Sequence, residues 1–299
     1  KEFLPIVYAF VEGPEGEINR GGRSDAPQSE QRRYFTPGDW RLVVQGVEFS
    51  DTSASPGGTL VDGPRTLAAG KSYRIDWNAA VIGPSFTGTN GPGHPWVSQN
   101  KDYALDVTVP VFGDAAGHSG SADYIYGLDR GTTSAYLDGQ LLGTQNSPGR
   151  GVFQSSAHFG TFRITTEVTR DQPWWPVSTK FSGEWTVAPA RYADEPLGML
   201  AVGFAPPADL RNLVPGGKEI TFPVTVTRQD AQPNVTALSV EISYDDGVTW
   251  QPVELTPDGP QWTAKVRHPA SGFASLRAKA TDDKGNAVSQ TITRAYQIG

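Results

Sequence analysis

The sequence predicts an all-β chain of two β-sandwich domains, and three observations predict it. Apolar and polar residues alternate with period two along many short segments, no segment carries a helical repeat, and 34 Gly and 24 Pro punctuate the chain at turn spacing. The clearest segment is Ala237–Trp250. There Leu238, Val240, Ile242 and Tyr244 share one face of a strand, Ser239, Glu241 and Ser243 share the other, and Asp246-Gly247 supplies a hairpin turn.

In chain order, Leu4–Val11 is an apolar run of strand length with Pro5 near its start, where a missing N–H is tolerated. Residues 12–31 carry too little apolar content for a core and read as a long exposed loop. Trp40–Phe49 is the next strand, followed by a turn-rich stretch from Asp51 to Pro64. Tyr73, Ile75 and Trp77 alternate with Arg74 and Asp76 as a strand buried on one face. Thr87–Gln99 is a Gly/Pro-rich loop carrying His94 and Trp96, and Tyr103, Leu105, Val107 and Val109 line a further strand. Asp138-Gly139, between two short apolar strands, is the pair favoured by a type I′ hairpin turn. Phe162, Ile164 and Val168 mark a strand, Pro173-Trp174-Trp175-Pro176 a loop, and Phe181, Trp185 and Val187 a strand beyond it.

Residues 1–190 therefore read as one jelly-roll-like sandwich. Arg191–Pro196, short, charged and unpatterned, is the expected junction. Residues 196–299 hold about seven strands, the count of an immunoglobulin-like or fibronectin-III-like sandwich.

Composition excludes several functions. The formal charge of −7 has no basic run to neutralise a phosphate backbone, so no nucleic-acid partner is expected. No apolar stretch approaches the roughly 20 residues of a membrane-spanning helix, so no membrane partner is expected either. With no Cys there is no disulfide, thiolate nucleophile or Cys-based metal site. A chain starting at Lys1 without a signal peptide reads as a processed product or a piece of a longer polypeptide.

Chemistry-bearing residues are sparse. His94, His118, His158 and His268 are scattered singly, without metal-ligand spacing, and no catalytic or metal-binding residue is assigned. Gly117-His118-Ser119-Gly120 lacks the flanking pattern of a nucleophile elbow. A hydrolytic site among His94, Asp102, Asp114 and His118 requires those four to converge in one pocket. Ser243-x-Asp245-x-Gly247-x-Thr249-Trp250 has the form of an Asp box, which reads as a structural turn when it occurs once. Asp282 and Asp283 on one turn offer calcium two carboxylates, far short of six oxygen ligands, so the expected cofactor is none, with calcium as the one candidate. Trp174 and Trp175 either pack at the domain junction or, with Trp96, form an exposed platform on which a sugar ring or peptide stacks.

From about Lys71 onward the sequence resembles the C-terminal region that follows the catalytic domain of large secreted actinobacterial subtilisin-like (S8) serine peptidases. The segments that carry the resemblance begin at Ala69 (AGKSYRIDWN), Val109 (VPVFGDAAGHSG), Tyr136 (YLDGQLLGT), Val177 (VSTKFSGEWT), Phe222 (FPVTV) and Val240 (VEISYDDGVTW), followed by the terminal LRAKATDDKGN and RAYQI. In that family the catalytic Asp, His and Ser lie upstream, so no catalytic residue carries over. The resemblance implies a secreted, non-catalytic accessory region that supports stability or presents substrate. Its partner would be the parent protease's catalytic domain or an extracellular protein or polysaccharide. The alternative is a carbohydrate- or cell-wall-binding sandwich using Trp96, Trp174 and Trp175.

Overall fold

The computed structural model describes residues 2–11, 18–23, 34–49, 54–63, 65–88, 90, 94–122, 128–155, 160–172, 175–188 and 194–299, and every regular element among them is a strand. The first five, β1 (Glu2–Val11), β2 (Ile18–Arg23), β3 (Gly38–Phe49), β4 (Ala54–Val61) and β5 (Arg65–Leu67), form one antiparallel sheet in the order β2-β1-β3-β4, with β5 also on β3. Strands β2 and β4 occupy stretches whose Gly, Ser and Pro content predicts loops; pairing with long neighbours overrides that composition. Trp40, Leu42 and Leu67 form a small core of their own, covered by Phe35, Ile75 and Trp77. In residues 71–77 only Ile75 and Trp77 turn inward while Tyr73 is exposed, and the segment is not paired as a strand. Their polar side is tied locally, Arg74 Nε donating to Asp76 at 3.0 Å and the Tyr73 hydroxyl accepting from Ala68 N–H.

Next come β6 (Val97–Gln99), β7 (Ala104–Thr108), β8 (Asp129–Leu137), β9 (Gln140–Gln145), β10 (Arg150–Gln154), β11 (Phe162–Arg170) and β12 (Lys180–Val187). A small sheet β10-β7-β6 stands apart from the ladder β9-β8-β11-β12. The β8–β9 turn is of the primed type that the sequence predicts, with Asp138 at φ 48° and Gly139 at φ 83°. Within the first 190 residues, β1–β5 pair among themselves around a small core of their own.

The remaining strands are β13 (Leu200–Phe204), β14 (Leu213–Val214), β15 (Glu219–Arg228), β16 (Val235–Ser243), β17 (Gln251–Pro252), β18 (Glu254–Asp258), β19 (Gln261–Arg267), β20 (Gly272–Asp282) and β21 (Ala287–Ile298). One sheet runs β13-β15-β19-β18 and the other contains β17-β16-β20-β21, with β14 parallel to the end of β21. In order of appearance these are the A-B-E-D and C-F-G sheets of an immunoglobulin-like sandwich.

The hydrogen bonding continues across the expected boundary between the two sandwiches. Strand β12 pairs antiparallel with β21 from Lys180↔Thr293 to Thr186↔Ala287, so one sheet runs β17-β16-β20-β21-β12-β11-β8-β9 across the presumed boundary. Local pattern cannot reveal a pairing between segments a hundred residues apart. Two features make it work. Gly183 leaves room for the buried Trp185 ring, since a Cβ there would sit 2.4 Å from Trp185 Cη2. Arg294, at φ 53°, bends β21 so that its first part takes β12 and its last two residues take β14.

Polar side chains complete the joint. The buried Gln290 amide accepts from Val202 N–H at 3.0 Å and donates to Val202 C=O at 2.7 Å, occupying that β13 residue as a neighbouring strand would. Gln229 accepts from the N–H groups of Trp96 and Val97 and donates to the carbonyls of Val97 and Leu197. Asn212 accepts from Ala80 N–H, and Asn286 from Ala188 N–H. The main core is correspondingly a single cluster from Ala80 to Ile298, in which the fully buried Trp185 donates from Nε1 to Leu200 C=O at 2.7 Å. A buried ion pair lies beside it: Arg170 donates to both oxygens of Asp129, at 2.7 and 2.8 Å, with its guanidinium 3.7 Å from the Phe112 ring centroid.

These contacts set two expectations for urea unfolding. Asp129→Ala strands a buried guanidinium and lowers stability by about 3–5 kcal/mol. Gln290→Ala leaves Val202 N–H and C=O without their partner and lowers it by about 1–3 kcal/mol. A loss below about half a kcal/mol would show, in Asp129→Ala, that the ion pair does not support the core and, in Gln290→Ala, that the joint does not hold the fold.

Candidate functional site

The aromatic residues expected to bind ligand are not displayed together. Trp96 is 5% exposed, its backbone is held by Gln229, and its Nε1 donates to Gly88 C=O at 3.2 Å. It offers no stacking face, because its ring, just ahead of β6, is buried in the main core. Trp175 is half-buried, packs against the same core, and has its ring 5.7 Å from the Arg170 guanidinium. Trp174 lies outside the described residues.

Of the four groups considered for hydrolysis, the structure joins two. His94 and Asp102 are exposed, while Asp114 and His118 are buried and bonded, Oδ2 to Nδ1, at 2.9 Å. Asp114 Oδ1 also accepts from the N–H groups of Ala116 and His118, which closes the loop into a turn. Trp77 lies flat on the imidazole, with centroids 3.9 Å apart and planes 15° apart. The neighbouring hydroxyl does not face the imidazole: Ser119 Oγ is 2.8 Å from Ser85 C=O and 2.6 Å from Thr87 C=O, so its proton goes to backbone. A nucleophile requires its hydroxyl on the base and open to substrate. The pair is instead a fastening. Ser119 and Val61 exchange backbone hydrogen bonds, tying the N-terminal sheet to this loop.

The Asp box is a turn in every contact. Ser243 Oγ donates to Asp245 and accepts from Gly247 N–H, and Asp245 accepts from both the N–H and the hydroxyl of Thr249. Trp250 Nε1 donates to Gly247 C=O. The Thr249 bonds, with that from Ser243, hold the Asp245 carboxyl at about 2. The Asp282 turn is likewise filled. Asp282 accepts from Lys284 N–H, Asn286 N–H, Asn286 Nδ2 and Arg228 Nη1, the last at 2.7 Å. Burial pushes this carboxyl up, but the bonds from Asn286 and Arg228 outweigh burial and hold it below the usual range. Its oxygens are committed to protein donors, and Asp283 accepts from Asn234 Nδ2, so the turn does not present calcium with the carboxylate pair that the sequence suggested.

His268 is the buried titratable group with the largest consequence. It is 3% exposed, with Tyr244 Oη 3.0 Å from Nδ1 and Tyr296 Oη 3.3 Å from Nε2. Burial pushes the imidazole down to about 4 and the Tyr244 phenol up to about 12.

A cleft that the sequence did not reveal opens where the segments 81–87 and 113–117 face the outer side of β13 and β15. It encloses about 120 Å³, with Gly203, Pro223, Thr225 and Thr227 on the sheet side and Ser85, Thr87 and Asp114 among the loop residues. Val81 N–H donates to Phe204 C=O, Gly83 N–H to Gly113 C=O and Ala115 N–H to Ala79 C=O, which fixes the loops. Thr225 and Thr227 read from sequence as the solvent side of a strand, and no residue pattern announces that a loop will face them.

No family model and no curated protein matches the chain. Among solved structures, it is similar to the fibronectin(III)-like modules of Clostridium thermocellum CbhA, at 12% identity over 75% of this chain and 92% of that one, with TM-score 0.24. SGBP-B of a Bacteroides ovatus mixed-linkage glucan utilization locus, in complex with a mixed-linkage heptasaccharide, matches at 15% identity over 77% of this chain and 48% of that one, with TM-score 0.19. The N-terminal domains of the bacteriophage RB49 outer capsid protein Hoc match at 11% identity over 100% and 88%, with TM-score 0.22. At these scores the likeness carries nothing about ligand, and the fold rests on the strand order described above.

The His268 environment predicts a pH dependence. Its folded value lies below the unfolded value near 6.5, so the unfolded chain binds the extra proton and stability falls as pH drops from about 6.5 to about 4. The full loss is about 3 kcal/mol. Urea titrations across this range should show the slope, and His268→Gln should flatten it; an unchanged slope would assign it to other groups.

Proposed function

We propose that this chain is a non-catalytic accessory region of a secreted subtilisin-like serine peptidase, supporting the stability of the catalytic domain and the presentation of its substrate. The observation that carries this reading is the shared strand β21, which joins β8–β12 and the immunoglobulin-like strands in one sheet and gives a stiff body rather than two modules on a linker. The ordered resemblance from about Lys71 to the C-terminus supports it. So does the chemistry of the His118–Asp114 pair, sealed under Trp77 with the adjacent hydroxyl turned to backbone carbonyls. The partner is then the parent's catalytic domain, with extracellular protein as the substrate presented.

An aromatic platform on polysaccharide is the weaker reading, since Trp96 is buried and Trp175 is packed against the core.

The test is made on the polypeptide encoded in frame with Lys1, with and without the present 299 residues. Removal should shorten the half-life of peptidase activity at elevated temperature several-fold, while kcat/KM on a short peptide stays within about twofold. The isolated chain should not hydrolyse casein. Casein hydrolysis by the isolated chain that disappears in His118→Ala, or an upstream frame without a peptidase domain, would overturn the proposal.

A further inference from the structure

The cleft beside β13 and β15 is lined by side chains of definable chemistry, and nothing in the accessory role requires it. Its polar side chains are hydroxyls: Ser85 and Thr87 on one wall, 3.1 Å apart and bonded to each other, and Thr225 and Thr227 on the floor. Asp114 is the charged residue in the lining. Its oxygens are occupied by His118 and by two backbone N–H groups, so it neither takes up a cation nor invites an anion.

Hydroxyls donate and accept in one group, and so do the hydroxyls of a sugar, whereas a carboxylate, phosphate or ammonium ligand needs a counter-charge that this lining lacks. The space over β13 exists because residue 203 is glycine: a Cβ there would lie 2.8 Å from Thr225 Oγ1. The walls are tied by backbone hydrogen bonds before any ligand arrives, which lowers the ordering cost of binding. A volume of about 120 Å³ leaves room for the edge of one sugar ring and lies well below the roughly 300–1,000 Å³ of sites that bury a drug-sized molecule.

We propose that this cleft is a binding site for one neutral sugar unit, entered edge-on and held by Ser85, Thr87, Thr225 and Thr227 through hydrogen bonds rather than by aromatic stacking. The site is separate from the tryptophans considered above and stands whether or not the chain serves a peptidase.

The experiment is an amide-shift titration of the whole chain with glucose, mannose, galactose and N-acetylglucosamine, each to about 50 mM. At least one sugar should give saturable shifts at Gly83, Gly113, Gly203, Thr225 and Thr227, with millimolar affinity. Thr225→Val combined with Thr227→Val keeps shape and removes two hydroxyls, and should weaken binding at least fivefold. Gly203→Ala should do the same by filling the floor. Trp175→Ala should leave affinity unchanged within about twofold. Absence of saturable shifts for all four sugars would overturn the proposal, as would binding lost in Trp175→Ala but kept in the threonine variant. Loss of the peptidase-stabilising effect leaves these shifts untouched, so failure of the accessory reading and failure of this one are distinguishable.

Discussion

The rest of the structure depends on one strand accepting two different neighbours along the same edge. Strand β21 completes the immunoglobulin-like sheet on its β20 side, and on its other side pairs first with β12 and then with β14. An immunoglobulin-like domain normally leaves much of that edge open, and an open edge invites association with other chains. Here the edge is consumed within the chain. The consequence is a continuous sheet from β17 to β9 and a single main core, so strands separated by a hundred residues must be in register before either half is complete.

Side-chain amides take over where backbone ladders stop. Gln290 holds both backbone groups of Val202, Gln229 holds the segment around Trp96 and Val97, and Asn286 reaches Ala188 N–H. An amide carries a donor and an acceptor at fixed spacing, so it can occupy a peptide group as a strand would and satisfy polar groups that water cannot reach. These contacts place segments 80–87 and 96–99 against the second sandwich. The hydroxyl-lined cleft is a product of that packing, because its floor belongs to β13 and β15 and its walls to loops more than eighty residues earlier in the chain.

What was legible in the sequence was whatever a short window can encode. The alternation of Leu238, Val240 and Ile242, the Asp138-Gly139 turn and the box from Ser243 to Trp250 fixed strands and turns because their causes are local. What was not legible required distant partners. Tyr73–Trp77 has the alternation of a strand but is not paired as one, while Ile18–Arg23 lacks the pattern and pairs with β1. Trp96, surrounded by Gly and Pro, looked exposed and is buried, since loop composition says nothing about which residue the core will draw in. The pairing of β12 with β21 was out of reach for the same reason: a charged, unpatterned junction marks where the chain is irregular, not where contacts cease. The cleft hydroxyls carry no signal at all, because a threonine on the polar face of a strand looks the same whether water or a loop lies opposite.

Native-state hydrogen exchange through low denaturant tests the shared sheet most directly, since strands that open together report one free energy and one denaturant slope. If β12 and β21 hold the two halves in one cooperative unit, the protected amides of β11, β12, β20 and β21 converge on a common isotherm. If β8–β12 open at a distinctly lower free energy and slope than β15, β16 and β20, the halves are independent modules in contact and the account is wrong.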